Sequence, residues 1–136
     1  MPKNQPMEHN IKPGTKGHLE MTVKEKDTAA AYGSGLVKVF ATPAMIALME
    51  NTAHSSVQPL LPEGYMTVGF EVNIRHVKAT PVGMKVSAQS ELTEVDGKKL
   101  VFTLTAHDEE GEIGKGVHTR YIIHGDKFME KAGGKK

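Results

Sequence analysis

Three polar side chains, Thr42, Glu50 and His76, are of the types from which acid–base or nucleophilic chemistry is built. Glu50 is the only residue of fixed charge in an otherwise apolar or neutral segment, residues 44–58. Burying a lone carboxylate costs free energy unless the group is paired or used. Glu50 therefore either reaches a solvent-exposed edge, pairs with a lysine, or serves as a general base or nucleophile.

His76 ends an alternating segment and shares one strand face with Val68, Phe70, Val72 and Ile74. This parity predicts that the ring faces the core rather than water. Taken alone, such a residue is more often a histidine at the edge of the core, hydrogen-bonded to backbone. The same position also suits a proton relay.

Thr42 precedes Pro43, a residue suited to the first helical position, and is predicted to cap the helix that follows. A hydroxyl there can also help backbone N–H groups hold an oxygen atom. Eight residues separate Thr42 from Glu50, about 12 Å along a helix. The two side chains therefore flank one reacting carbonyl or belong to sites formed across a dimer. Gly69 interrupts a bulky strand, which indicates either a β-bulge or close approach of a ligand.

Composition excludes several classes of site and partner. There is no cysteine, and the seven histidines show no HxH or HExxH spacing, so no metal site is predicted. Lys plus Arg number 17 against 16 Asp plus Glu, which gives no electrostatic case for a nucleic-acid partner. No apolar run approaches the roughly 20 residues of a membrane span, and the first 17 residues lack a signal-peptide core. A cytoplasmic protein without membrane contact is expected.

The elements that must position these residues form one domain. Residues 1–16 are predicted to be an extended arm, 17–126 the folded domain and 127–136 a flexible Lys/Gly-rich tail. Within the domain, one strand precedes a long helix and four strands follow it; these segments are 17–23, 42–58, 66–78, 84–93, 99–107 and 112–124.

Short links between the last four strands favour an antiparallel meander. The helix is apolar on most sides, and a helix of this kind is normally buried. We therefore predict an α+β protein, a five-stranded or larger antiparallel sheet wrapped around one long buried helix. A single sheet cannot cover such a helix, so a homodimer or higher homo-oligomer is expected. This order suggests the hotdog fold, and another α+β meander stays open.

Residues spread along most of the chain resemble the fluoroacetyl-CoA thioesterase-like family of hotdog proteins. The resemblance runs over residues 36–128 and rests on VFATPAMIALME at 39–50, TVG at 67–69, IRHVKATPVG at 74–83, AHD at 106–108 and GxGxHxR at 114–120.

The resemblance implies hydrolysis of a short or medium acyl-CoA thioester by a Thr, a Glu and a His, which map onto Thr42, Glu50 and His76. It implies substrate contacts at Gly69 and Arg120, the latter on the strand face opposite Tyr121. It implies no metal or redox cofactor, with coenzyme A present only as part of the substrate. The chain departs from the fluoroacetyl-specialised branch at residues 32–37, YGSGLV, which are glycine-rich where that branch has bulky aromatics.

Two other functions remain open at this point. A hotdog hydratase needs an Asp–His pair near the helix start, and no such Asp is present there. A non-catalytic acyl-CoA-binding or regulatory module would tolerate the loss of Glu50, whereas a hydrolase would not.

Overall fold

A long helix lies against one face of a five-stranded antiparallel sheet in the computed structural model, which describes residues 9–133. The predicted α+β architecture is confirmed. The elements, in chain order, are β1 (Lys16–Thr22), α1 (Ala29–Tyr32), α2 (Thr42–Val57), β2 (Tyr65–His76), β3 (Lys85–Asp96), β4 (Lys99–Asp108), β5 (Gly111–His124) and α3 (Gly125–Lys131).

The sheet order is β1-β3-β4-β5-β2. The predicted meander is right for β3, β4 and β5 but wrong for β2, which pairs with β5 and forms an edge of the sheet. The link from β2 to β3, residues 77–84, crosses the end of the sheet, a distance of about 14 Å that eight residues easily span. A short link therefore does not by itself make two strands neighbours.

The core lies between α2 and the inner face of β3 and β4. Apolar residues at every second position of these strands turn inward, as their alternation predicts. The inward residues include Val86, Ala88, Leu92, Leu100, Phe102 and Leu104, and they pack against Met45, Met49, Ala53 and Val57 of the helix. This core fixes the position of α2 over the sheet.

The helix begins one residue earlier than predicted. Ala41 occupies the N-cap position, and its carbonyl accepts the first helical hydrogen bond from Met45 N at 2.9 Å. Thr42 is thus the first helical residue and Pro43 the second, which proline tolerates because its missing N–H has no helical partner at either position. The predicted capping role of Thr42 is wrong, so its hydroxyl is free for other contacts.

The single chain does not bury α2 on all sides. Pro43, Ala47, Asn51 and Ser55 form an exposed stripe at four-residue spacing, and Glu50 lies half-buried beside it. One sheet thus covers only part of the helix, as expected, and seven of its residues are buried against the core. The exposed stripe is made of small or polar residues, which need no cover from the sheet.

A bulge in β2 reverses the face on which its residues lie. The register with β5 shifts between Gly69 and Glu71, so Thr67 and Gly69 face the helix before the bulge. Beyond the bulge, Val72, Ile74 and His76 face the helix, as predicted. The predictions for Val68 and Phe70 are wrong: Val68 lies opposite Tyr121 on the outer face, and Phe70 is 67% exposed. An inserted residue shifts strand parity by one.

The chain ends bear on the predicted arm and tail. In the arm, Ile11 is buried and Gly14 donates a backbone hydrogen bond to Leu92 O, while residues 1–8 lie outside the described part. In the tail, residues up to Lys131 belong to α3, and 134–136 lie outside the described part. None of the helices within residues 9–133 has the length and hydropathy to cross a membrane.

Candidate active site

Thr42 and His76 meet where the start of α2 lies over the end of β2. Thr42 Oγ1 and His76 Nδ1 are 2.8 Å apart and share a hydrogen bond. The Phe40 ring lies nearly perpendicular to the imidazole, with ring centroids 6.4 Å apart. His76 Nε2 is buried and has no hydrogen-bond partner among residues 9–133. Nε2 is therefore the ring nitrogen whose hydrogen-bonding capacity is not used among the described residues.

A cleft of about 510 Å³ opens beside this pair. Thr42 and His76 form part of its wall, together with Ala29 of α1 and Ser34 of the glycine-rich segment. Burial lowers the pKa of His76, and the nearby backbone of Lys78 opposes that shift. The imidazole is consequently neutral at physiological pH and able to accept a proton.

The segment that follows His76 is anchored by a buried carboxylate, Asp108. Its Oδ2 accepts hydrogen bonds from Lys78 Nζ at 2.7 Å and Thr80 Oγ1 at 2.8 Å, and its Oδ1 accepts one from Glu110 N. Burial raises the pKa of Asp108, but these hydrogen bonds outweigh burial and hold that pKa below its ordinary value. The anchor fixes the backbone directly after the histidine.

Glu50 lies beside Gly69, in the middle of α2 and β2. A Cβ atom at residue 69 would lie 3.0 Å from Glu50 Oε2, tighter than ordinary contact. Gly69 thus permits close approach of the Glu50 carboxylate. It also borders the bulge, as one of its two predicted roles requires. With Thr67, His54 and Arg120, the two residues line a cleft of about 380 Å³. The Glu50 side chain is 41% exposed in the single chain.

Arg120 reaches the same cleft from β5. Its face, opposite Tyr121, is the helix-facing one, and its guanidinium is buried. Nε donates to Thr67 Oγ1 at 2.8 Å and Nη2 donates to Thr67 O at 3.0 Å. Burial lowers the pKa of Arg120, and the nearby Glu50 charge opposes that shift. A positive group is thereby fixed beside the carboxylate and the glycine.

His118 completes this second group. It lies two residues before Arg120 on the same strand face and its side chain is fully buried. Its Nε2 is 3.1 Å from Arg120 Nη1 and 4.0 Å from Glu50 Oε2. The motif at residues 114–120 contains His118, and its i, i+2 spacing from Arg120 was the signal that could have marked it as a site residue.

The structure therefore brings the five predicted residues together as two groups rather than one. Thr42 and His76 form the first, while Glu50, Gly69 and Arg120 form the second. In the part of the chain that is described, Glu50 has no hydrogen bond to Thr42 or His76. The seven steps along the strand from Gly69 to His76 span roughly 20 Å. The two groups are therefore well separated along β2 within one chain.

No metal centre accompanies these groups. Across residues 9–133, no set of three or more His, Asp or Glu side chains is arranged to hold an ion.

The sequence matches a known protein family and a characterised relative. A family model described as fluoroacetyl-CoA-specific thioesterase matches residues 23–126. The fluoroacetyl-CoA thioesterase of Streptantibioticus cattleyicolor is 39% identical over 94 residues, covering 69% of this chain and 68% of that protein.

Solved structures agree. The structure of the fluoroacetyl-CoA thioesterase FlK superposes with a TM-score of 0.87 at 32% identity, covering 93% of this chain and 98% of that one. A variant of the same enzyme is solved in complex with fluoroacetate and CoA. A hot-dog-like protein from Thermanaerovibrio acidaminovorans, 22% identical, shares the fold with a TM-score of 0.82 over 90% of each chain.

Proposed function

Because the chain belongs to the fluoroacetyl-CoA thioesterase family of hotdog proteins and hydrolyses acyl-CoA thioesters, we propose that Thr42, Glu50 and His76 carry the reaction. The observation that supports this assignment best is the 2.8 Å contact between Thr42 and His76, which leaves Nε2 unpartnered beside a cleft. The relative solved with fluoroacetate and CoA supports a CoA thioester as the ligand of that cleft.

Each group has a step in the proposed reaction. Glu50 either takes a proton from water as the oxygen adds to the carbonyl carbon, or attacks that carbon itself to form an acyl-enzyme anhydride that water then hydrolyses. The C–S bond breaks and CoA leaves as a thiolate. The neutral His76 ring takes up through Nε2 the proton that the attacking water releases, and passes it to the thiolate. The Thr42 hydroxyl and the N-terminal N–H groups of α2 hold the carbonyl oxygen. No cofactor beyond the CoA of the substrate takes part.

The separation of the two groups supports a site shared between two chains. β2 is an edge strand, and Phe70 and Val72 are exposed along it. Antiparallel pairing of two β2 strands about a two-fold axis near Val72 would bring His76 of one chain toward the partner's Glu50. The homodimer is thus part of the catalytic proposal. We also place the enzyme in the cytoplasm, where CoA thioesters are made and used.

The purified protein is expected to sediment at twice its chain mass of 14.8 kDa, or at a higher multiple. The physical reason is the unpaired, apolar edge of β2, which two copies would bury. Phe70→Lys should weaken this association, whereas Phe128→Lys, at an exposed position on α3, should not. A parent protein that stays monomeric at micromolar concentration would contradict the dimer and with it the shared site.

The glycine-rich segment that borders the cleft supports a permissive acyl specificity. Gly33 adopts φ +76°, which ends α1, and the Leu36 and Val37 side chains that follow are 96% and 60% exposed. In the single chain these residues do not close over Thr42 and His76. An open entrance admits acyl groups of several lengths.

We therefore expect hydrolysis of acetyl-, butyryl- and hexanoyl-CoA within one order of magnitude in kcat/KM, without a large preference for fluoroacetyl-CoA. Thiol release with each substrate, at matched enzyme concentration, measures this directly. A preference above a hundredfold for fluoroacetyl-CoA, about 2.7 kcal/mol of transition-state binding, would mean that residues 32–37 order over the acyl group.

A further inference from the structure

Arg120 is held by three acceptors, none of which carries a negative charge. Two belong to Thr67, its hydroxyl and its carbonyl, and the third is His118 Nε2. A guanidinium has five N–H donors, so two of the five remain for the cleft. A buried cation without a directly paired carboxylate keeps its orientation only through such neutral contacts.

The hydrogen bonds of His118 define which of its nitrogens carries the proton. Nδ1 is 2.8 Å from the carbonyl oxygen of Glu71, which can only accept, so Nδ1 bears the hydrogen. Arg120 Nη1 can only donate, so Nε2 must offer its lone pair. Both conditions are met by the neutral ring with its proton on Nδ1, and a protonated ring would set two donors and two positive charges 3.1 Å apart.

The surroundings of His118 favour the same state. Burial lowers the pKa of His118; the Glu71 carbonyl and Glu50 oppose that shift, and Arg120 adds to it. Glu50 Oε2, at 4.0 Å, is too far from Nε2 to take the place of Arg120 as its partner. His118 therefore has both ring nitrogens engaged in the neutral form and no solvent-exposed atom with which to exchange a proton.

We propose that His118 is a positioning residue, a neutral acceptor whose Nε2 holds the Arg120 guanidinium in the cleft beside Glu50 and Gly69. This inference rests on the proposed role of Arg120 in contacting the substrate. His118 itself touches no substrate and transfers no proton. It acts by keeping one Nη1 hydrogen turned into the strand, so that the remaining donors of Arg120 face the acyl group.

Two substitutions separate the two ring nitrogens. His118→Asn supplies an amide near the position of Nδ1 and removes the acceptor for Arg120, whereas His118→Gln reaches the position of Nε2 with an oxygen that accepts. We expect His118→Asn to lower kcat/KM for acetyl-CoA about tenfold, the scale of a lost hydrogen bond to a charged group, mainly through KM. His118→Gln should stay within about threefold of the parent enzyme. His107→Asn, on the outer face of β4, is the matched control and should not change kcat/KM.

A double-substitution cycle tests whether His118 acts through Arg120. If it does, adding His118→Asn to the Arg120→Gln enzyme should not lower kcat/KM any further. Independent, multiplying losses would overturn the proposal and leave His118 a merely structural residue. Glu50→Gln in the same assay tests the proposed function separately. If Glu50→Gln is fully active, the proposed function is wrong. If Glu50→Gln is inactive but the losses at His118 and Arg120 multiply, only the inference about His118 is wrong.

A further measurement reads the protonation state of His118 in the parent enzyme. The ¹⁵N NMR spectrum of histidine-labelled parent enzyme at neutral pH should show His118 with Nδ1 protonated and Nε2 bare, with the signal assigned by its absence from His118→Gln. A protonated Nε2 would overturn the proposal, because that nitrogen could not then accept from Arg120.

Discussion

Replacing Glu50 by glutamine is expected to lower kcat by about 10² or more, the scale of a positioned acid–base group, while acyl-CoA binding is retained. Glutamine keeps the size of the side chain, but its neutral amide oxygen is far too weak a base or nucleophile to take a proton from water or attack the carbonyl. Because Glu50 is half-buried and has no ion pair shorter than its 4.0 Å approach to His118, the change should leave the fold intact.

The measurement is steady-state thiol release, with acyl-CoA binding followed separately by calorimetry. Glu112→Gln removes an exposed carboxylate from β5 and is the matched control for the loss of one negative charge. If Glu50→Gln folds, dimerises and turns over near the parent rate, the mechanism proposed here is wrong. The non-catalytic binding module would then be the better interpretation, or another residue would be the base. His54, which lies one turn farther along α2 and lines the same cleft, would be the candidate.

The elements of the fold could be predicted from the sequence because they depend on local patterns. The alternation of Leu100, Phe102 and Leu104 turns one side of β4 to the core, and the apolar run after Pro43 forms the helix. The strand order depends on which strand edges pair in the folded protein, and the lengths of the connecting loops do not determine it. The pairing of β2 with β5 was missed for this reason.

The candidate site residues could likewise be chosen from the sequence by residue type. Which of them lie together in the structure could not be predicted in this way. The bulge after Gly69 shifts the alternation of β2, so Phe70, which was predicted to face the core, is exposed at the edge of the sheet. His118 and Asp108 were missed because their importance lies in the partners they contact, Arg120 and the segment after His76. Such partners come from other strands or other turns of the chain, and residue type alone does not reveal them.

His76→Ala is expected to lower kcat to a similar degree, about 10², because it removes the only group proposed to protonate the leaving thiolate. The Thr42 hydroxyl loses its partner at the same time. Since Ala41 is the N-cap of α2, this loss should not weaken the start of the helix. Near-parent turnover by a folded His76→Ala dimer would exclude the proton relay assigned to this residue.

The combination of the two substitutions decides where the site lies. In a heterodimer of one Glu50→Gln chain and one His76→Ala chain, a site shared between chains leaves one of two sites with both native groups. Such a heterodimer, purified through two different affinity tags, should regain about half of the parent activity. If each chain instead held a complete site, both sites would carry one substitution and the heterodimer would be as inactive as either homodimer.

The reciprocal heterodimer gives the opposite result and serves as its control. One parent chain is paired with one chain that carries both Glu50→Gln and His76→Ala. If the sites are shared, each of the two sites lacks one native group, so activity should fall by about 10². If each chain holds its own site, the site of the parent chain is intact and about half of the activity should remain. The shared arrangement is proposed because His76 lies seven positions beyond Gly69 along β2. An active reciprocal heterodimer would refute it.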